Sequence, residues 1–290
     1  LAHPALTARR FAAVTALAAL TTSPGVTGTH ERRDRALGAI DPVWVRVPAG
    51  TYRVGAAGHS RNPRREVTLA AFEIADAETT NEQFARFVDA TGYKTDAERR
   101  GYGLTFKEGM VDWQWASTPG AFWREPFGPG SEAPPQHPVT QISEADSEAY
   151  CAWAGLRLPT LDEWEVAARA GSDGLYPWGD ELEPEGKPRA NIWGGATHEH
   201  NDRRDGFVYT APVRSYAPNA WGLYDVIGNV FEYCSDVPVD PSGERRPDLA
   251  AGRGGSWWCS AGCCNFFNLV DVGSMNRHAS LANQGFRVAR

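Results

Sequence analysis

The sequence predicts one loop-rich α+β domain, and three observations carry that prediction. The 290-residue chain holds 30 Gly, 20 Pro and 11 Trp, a mix that favours many turns pinned by large aromatic side chains. Its helical periodicities are short and scattered. After Trp178 the chain reads as turns and short strands to its end. The length suffices for a sizeable core and lies near the upper size for one domain. A hydrophobic share of 42% sets the whole apart from disordered chains.

The elements follow in order. Val43 to Pro48 alternates as a strand, and Ala49 to Gly55 reads as a turn and a second strand, which predicts a hairpin. Thr79-Thr80 caps a helix running to about Ala90, with Phe84, Phe87 and Val88 inward and Gly92 as the stop. Ser143 caps a second helix, with Ala149, Tyr150 and Trp153 inward and Gly155 at its end. Thr160-Leu161-Asp162-Glu163 is a capping box, because the hydroxyl and the carboxylate satisfy each other's backbone donors. The helix it opens turns Trp164, Ala167 and Ala168 inward and ends at Gly171. Glu163 and Glu165 point to different sides of it, one as a cap and the other as a surface or loop-clamping group.

The first segment reads as targeting. Arg9-Arg10 precede a mild apolar stretch, Phe11 to Leu20, which is too short to span a bilayer. Residues 1–25 are therefore expected to be a twin-arginine-like export signal, 26–42 a polar linker, and 43–290 the folded domain. That implies a periplasmic protein that meets export machinery transiently and has no stable membrane insertion. The net charge of −7 without a basic run argues against a nucleic-acid partner. No Gly-rich phosphate loop and no nucleophile elbow is present. His198-Glu199-His200 reads as a polar loop rather than a metal site, since no third ligand accompanies it.

Five cysteines remain: Cys151, Cys234, Cys259, Cys263 and Cys264. In an oxidising compartment an odd count leaves at least one thiol unpaired within the monomer, unless a metal takes some of them.

The ordered motifs resemble the formylglycine-generating enzyme family. They begin with Val45-Arg46-Val47-Pro48-Ala49-Gly50, Glu78 to Phe84, Ala90 to Tyr93 and Pro119 to Arg124. His137-Pro138-Val139 and Arg157-Leu158-Pro159-Thr160 follow. The second half adds Ala190 to Trp193, Asp205-Gly206-Phe207, Gly222 to Asp225, Gly228-Asn229-Val230, Arg253-Gly254-Gly255-Ser256 and Gly285-Phe286-Arg287. The resemblance spans about residues 43 to 290. It implies the formylglycine-generating-enzyme fold, a single α+β domain related to C-type lectins with little regular secondary structure. It also implies structural calcium, at Asn191, Ile192, Asp205 and Phe207 and at Asp225, Gly228, Val230 and Glu232. The apolar and glycine members of these sets would act through their carbonyls.

The family's chemical centre, Ser-x-x-Cys-x-x-x-x-Cys, reads here as Ser256 to Cys264. The resemblance makes Cys259, Cys264 and Ser256 catalytic, and two thiolates suit copper(I). Cys263 is an extra neighbour, open between a third ligand, a disulfide partner and a bystander. A structural disulfide plus one free thiol is the other reading of the trio.

Departures from the family pattern shape the functional expectation. The stretch after the second cysteine, Asn265 to Asp271, lacks the arginines that help sulfatase-activating members hold their peptide. Gly228-Asn229-Val230-Phe231-Glu232-Tyr233 alters the usual aromatic floor. An exported branch of the fold matures the siderophore pyoverdine, and the export signal and remodelled pocket resemble it. The leading expectation is thus an oxygen-dependent oxidase of a small peptide-linked chromophore of dihydropyoverdine type. Trp257, Trp258, Phe266 and Phe267 would stack against that substrate. The second expectation is a copper-dependent formylglycine-generating enzyme acting on a sulfatase cysteine. The third is a calcium-stiffened binding module without catalysis.

Overall fold

Two capping devices set the positions of the longer helices. In the computed structural model, which describes residues 42–238, 242 and 244–290, Thr80 opens helix α1 (Asn81–Thr91) and Ser143 opens α3 (Glu144–Ala154). Each hydroxyl accepts the N3 amide while the N3 side chain returns to the cap amide, so two orphan donors are satisfied together. Gly92 and Gly155 close the two helices in the left-handed region. A short α2 (Asp96–Arg100) uses the same device at Thr95, and α4 (Leu161–Arg169) uses it at Thr160. Helix α4 stops one residue earlier than expected, on Ala170 at φ 46°. The export signal expected at residues 1–25, and residues 26–41 of the expected linker, lie outside the described residues.

The strands are short. β1 (Trp44–Val47) pairs with β4 (Phe72–Ala75), and β2 (Gly50–Val54) pairs with β3 (Arg65–Leu69), both antiparallel. The hairpin expected between the first two strands is therefore absent. The two-residue link Pro48-Ala49 explains this, because a two-residue hairpin needs positive φ at its turn and Pro is fixed near −65°. β5 (Tyr102–Thr105) pairs with β6 (Ala116–Pro119). The largest sheet joins β7 (Phe231–Cys234), β8 (Leu249–Arg253), β9 (Gly273–Asn276) and β10 (Gln284–Gly285) in the order β10-β7-β8-β9. Among the described residues, no helix is long and apolar enough to cross a membrane.

Two apolar clusters fill the interior. One packs α1 against α3 through Phe84, Phe87, Tyr150 and Phe286. Helix α3 buries Ser147, Tyr150, Cys151 and Ala154, while Ala149 and Trp153 are only half-buried at its flank. The other cluster contains Trp164, Trp193, Trp257, Trp258 and Phe267 and encloses Cys259 and Cys264.

Buried ion pairs brace the second cluster. Glu165 is not on the surface; it is 0% exposed and takes up the loop-clamping role. It accepts from Gly55 N and Asn62 Nδ2 at 2.7 Å each, from Arg169 at 2.8 Å and from Arg253 at 2.7 Å. Glu232 accepts from Arg287 at 2.5 and 2.6 Å and from the Trp164 indole at 2.6 Å. Charges so deeply buried persist only when paired and hydrogen-bonded throughout.

Candidate active site

The segment carrying the cysteines leaves β8 through a close backbone approach. Gly255 adopts φ 74°, and a Cβ there would lie 2.6 Å from Cα of Phe267, which explains why a side chain is excluded. Trp257 N donates to Asn229 O at 3.0 Å, and Trp193 N donates to Cys259 O at 2.9 Å. Arg253 and Asn62 hold the returning segment, since both donate to Val270 O at 2.9 Å. The cysteine turn is thus fixed from both sides.

All five cysteines are free thiols in the structure. Cys259 is fully buried, and burial pushes its thiol well above the ordinary range. Cys264 moves the other way: the Cys259 thiol donates to its sulfur, the backbone amide of Phe266 adds a second donor, and its proton is released more easily. Within the pair, Cys259 holds its proton more tightly and Cys264 releases its own more easily. Ser256 Oγ lies 3.8 Å from Cys259 Sγ and accepts from Asn283 Nδ2 at 2.9 Å. Cys263 is less buried, and its thiol is pushed up to about 11, chiefly by desolvation.

A cleft of ≈ 290 Å³ opens beside Cys264. Trp113, Trp115, Phe231, Trp258 and Phe266 form its apolar wall, and Arg61 and Asn283 reach it from other loops. Two of the four expected pocket aromatics, Trp258 and Phe266, stand there. Trp257 and Phe267 do not: Trp257 is 0% exposed with its indole N–H donating to Ala282 O, and Phe267 stacks on Tyr176 inside the core. Two polar atoms on cleft residues, Trp258 Nε1 and Asn283 Oδ1, have no hydrogen-bond partner among the described residues. Asn283 and Arg61 were invisible as site residues in the sequence. Asn283 stands two positions before the Gly285-Phe286-Arg287 motif, and Arg61 sits in a polar loop with no signal of its own.

The two sets of calcium-type residues are gathered as well. Asp205 accepts from Ile192 N at 3.1 Å and Phe207 N at 3.0 Å, and burial raises its carboxyl to about 6. Asn191 spends its side-chain amide on Tyr209 O and Asn229 Oδ1. In the second set, burial also raises Asp225 to about 6. Among the described residues, Asp225 Oδ1 has no partner, nor does Oε2 of buried Glu78, which the sequence reading missed. Glu78 is pushed well up by burial and then by the charges of Asp225 and Glu232. Gly228 and Val230 sit on the intervening turn, where Gly228 N donates to Gly254 O. Glu232 differs from the expectation, since Arg287 and Trp164 already engage both its oxygens. The donor sets fit a hard, oxygen-seeking cation best at Asp225 and Glu78.

Comparison with known proteins matches this frame. The model of the sulfatase-modifying factor enzyme 1-like domain covers residues 35–290. The formylglycine-generating enzyme of Thermomonospora curvata is 40% identical over 280 residues, covering 84% of this chain and 92% of that protein. The inactive C-alpha-formylglycine-generating enzyme 2 of Mus musculus is 37% identical over 274 residues, covering 87% and 86%. Among solved structures, PvdO from Pseudomonas aeruginosa aligns with a TM-score of 0.64 at 27% identity, over 86% of this chain and 94% of that one. The chain has the formylglycine-generating-enzyme fold and belongs to the sulfatase-modifying factor enzyme 1-like family.

Proposed function

We propose that the chain is an oxygen-dependent oxidase that converts a peptide cysteine to formylglycine. The observation that carries this reading is the thiol pair, with Cys264 acidified by Cys259 and placed on the cleft wall. Relatives named formylglycine-generating enzymes support it. One relative is named inactive, so membership of the family does not by itself carry the activity; the chemistry of the pair has to.

Two thiolates form a donor set that suits copper(I), so Cys259 and Cys264 would hold that ion. Bound there, copper supplies activation of dioxygen. The chain's own residues do the rest. Trp258 Nε1 and Asn283 Oδ1 lie unpaired beneath the cleft wall and would become a donor and an acceptor for a peptide backbone once the wall parts around it, and Ser256 orients the buried sulfur. The aromatic wall excludes water from the reacting carbon. Turning CH₂–SH into an aldehyde and hydrogen sulfide removes two electrons, while dioxygen takes up four. Two external thiols therefore become one disulfide, and one water leaves.

A second reading is favoured by the cleft wall, whose lining residues include aromatics and Arg61 but no carboxylate to meet a peptide arginine. It is oxidation of a dihydropyoverdine-type chromophore in an exported protein. There two hydrogens pass from substrate to dioxygen, giving hydrogen peroxide with no thiol consumed. The likeness to PvdO is compatible with this. Calcium at the Asp205 and Asp225 loops would serve either reading by stiffening the frame.

Mass spectrometry on aerobic reactions separates the two. Protein with copper and a thiol reductant is given a Cys-x-Pro-x-Arg peptide, or a dihydro chromophore precursor without reductant. An aldehyde on the peptide with release of hydrogen sulfide supports the first reading. Loss of two hydrogens from the chromophore, with peroxide, moves the assignment to the second.

A further inference from the structure

His198, set aside in the sequence as part of a polar loop, is the centre of a second cluster. It is 0% exposed, whereas His200 points outward with 79% of its side chain exposed. His198 Nδ1 lies 2.7 Å from Asp112 Oδ1. The Cys263 thiol faces the same carboxylate and helps to hold it ionised. The three potential ligand atoms, one oxygen, one nitrogen and one sulfur, all lie within 4.8 Å of one another.

We propose that Asp112, His198 and Cys263 form a binding site for a divalent ion of the zinc class, separate from the Cys259–Cys264 pair. The orientation of the imidazole is the second, independent observation. His198 Nε2 lies 2.6 Å from the carbonyl oxygen of Trp258. A carbonyl can only accept, so Nε2 carries a proton; the short Nδ1–Asp112 contact needs a proton as well, and Nδ1 is the nitrogen that an incoming ion would take over by displacing it. A metal-bound histidine is commonly held in just this way, its other N–H given to a carbonyl or carboxylate. The Trp258 ring stacks on the imidazole at 4.6 Å and 14°, which fixes the ring plane.

The scaffold beneath the ligands is already assembled. Gly109 N donates to His198 O at 3.0 Å, tying the loop before Asp112 to the histidine. A Cβ on Gly262 would lie 2.9 Å from Ala196 O, so the cysteine loop packs directly on the histidine loop. Thiolate, imidazole and carboxylate together select zinc-like ions over calcium or magnesium, which prefer all-oxygen sites. Three protein ligands leave a fourth position open, as in sites that keep a water. On binding, two protons leave to solvent, one from the Cys263 thiol and one from the Nδ1–Asp112 hydrogen bond, and the ion takes their place among the sulfur, the nitrogen and the carboxylate. The ion would also hold Cys263 apart from its neighbour Cys264, which accounts for a third thiol beside a working pair. It would clamp the loop of Trp113, a cleft residue 60% exposed, to the cysteine loop.

The test uses the metal alone on the intact protein. Zn²⁺ affinity is measured by competition with a chromophoric chelator, and Co²⁺ serves as a spectroscopic stand-in with a thiolate-to-cobalt charge-transfer band. The C259S/C264S double variant should keep one bound equivalent and the band. The C263S variant should lose the band, and C263S and D112N should each bind Zn²⁺ more weakly, by more than the roughly 10–100-fold that losing an outer partner costs. Should C263S prove unfolded, Zn²⁺ should still slow alkylation of Cys263 in the wild-type protein, read by peptide mapping. A band that survives in C263S but vanishes in the double variant would place the ion on the pair and overturn the proposal. Absence of any bound equivalent, or of protection at Cys263, would overturn it equally.

Discussion

Asn283 donates its side-chain amide to the Ser256 hydroxyl at 2.9 Å and leaves its own carbonyl oxygen unpaired on a cleft residue. One residue thus orients the group beside Cys259 and keeps an unpaired acceptor just beneath the cleft surface. Replacing it by Ala removes both contacts. A hydrogen bond lost from a buried polar group costs about 1–3 kcal/mol, so N283A should turn over roughly 5- to 150-fold more slowly and melt on the order of 5 °C lower. Because the two residues act as a unit, S256A in the N283A background should add almost nothing. Fully additive losses would mean that Asn283 does not act through Ser256.

The thiol pair makes a prediction about reactivity with sign and place. Cys264 is acidified mainly by the donor Cys259, and it borders the cleft, whereas Cys259 is sealed. Alkylation at neutral pH should therefore mark Cys264 first. In C259A the donor is gone, so the pH at which Cys264 becomes reactive should move upward. Peptide mapping across a pH series checks both. An unmoved profile would mean that Cys259 does not set the acidity of its neighbour.

How much of this was legible beforehand follows the range of the forces involved. Capping boxes are local, so Thr80, Ser143 and Thr160 announced their helices within one turn of sequence. Strand pairing is not local: β1 passes over its neighbour to reach β4, and only Pro48 hinted at that. In the site, Ser256, Cys259 and Cys264 share one nine-residue stretch and could be read from resemblance. Asn283, Arg61 and Asp112 arrive from distant loops, and no periodicity marks a residue whose partner lies tens or hundreds of positions away. The aromatics show the same limit. Trp257 and Trp258 are adjacent and identical in type, yet one fills the core and the other borders the cleft. Backbone direction across the turn decides between them, and composition does not carry it.

The Glu165 network is expected to dominate stability. Glu165 neutralises Arg253 and Arg169 in a site closed to water. E165Q keeps the shape but leaves two buried guanidinium groups short of a counter-charge, which costs about 3–5 kcal/mol when a buried pair is broken. For a domain of this size the melting temperature should fall by on the order of 10 °C. The exposed pair Arg53–Asp173, 62% and 79% exposed, is the control, and R53A should leave the melting temperature unchanged. Equal effects from the two variants would remove the buried network from its role.

The calcium proposed at the Asp205 and Asp225 loops predicts a particular pH dependence. Both carboxyls are raised to about 6 by burial, well above the unfolded value of about 3.9. Between these values the folded state binds more protons than the unfolded one, so their contribution to stability falls as pH rises from about 4 to 6. Above 6 the cost is fully present, because one buried and one half-buried carboxylate are then ionised without a cation. A bound calcium ion supplies that charge and removes the cost. Chelator-treated protein should therefore gain more thermal stability from calcium at pH 7 than at pH 5. D225N isolates the second loop from the other carboxylates of the molecule. It should be more stable than wild type without metal at pH 7, and should show a smaller calcium response. A calcium response that ignored pH, or one that D225N left intact, would put the ion elsewhere.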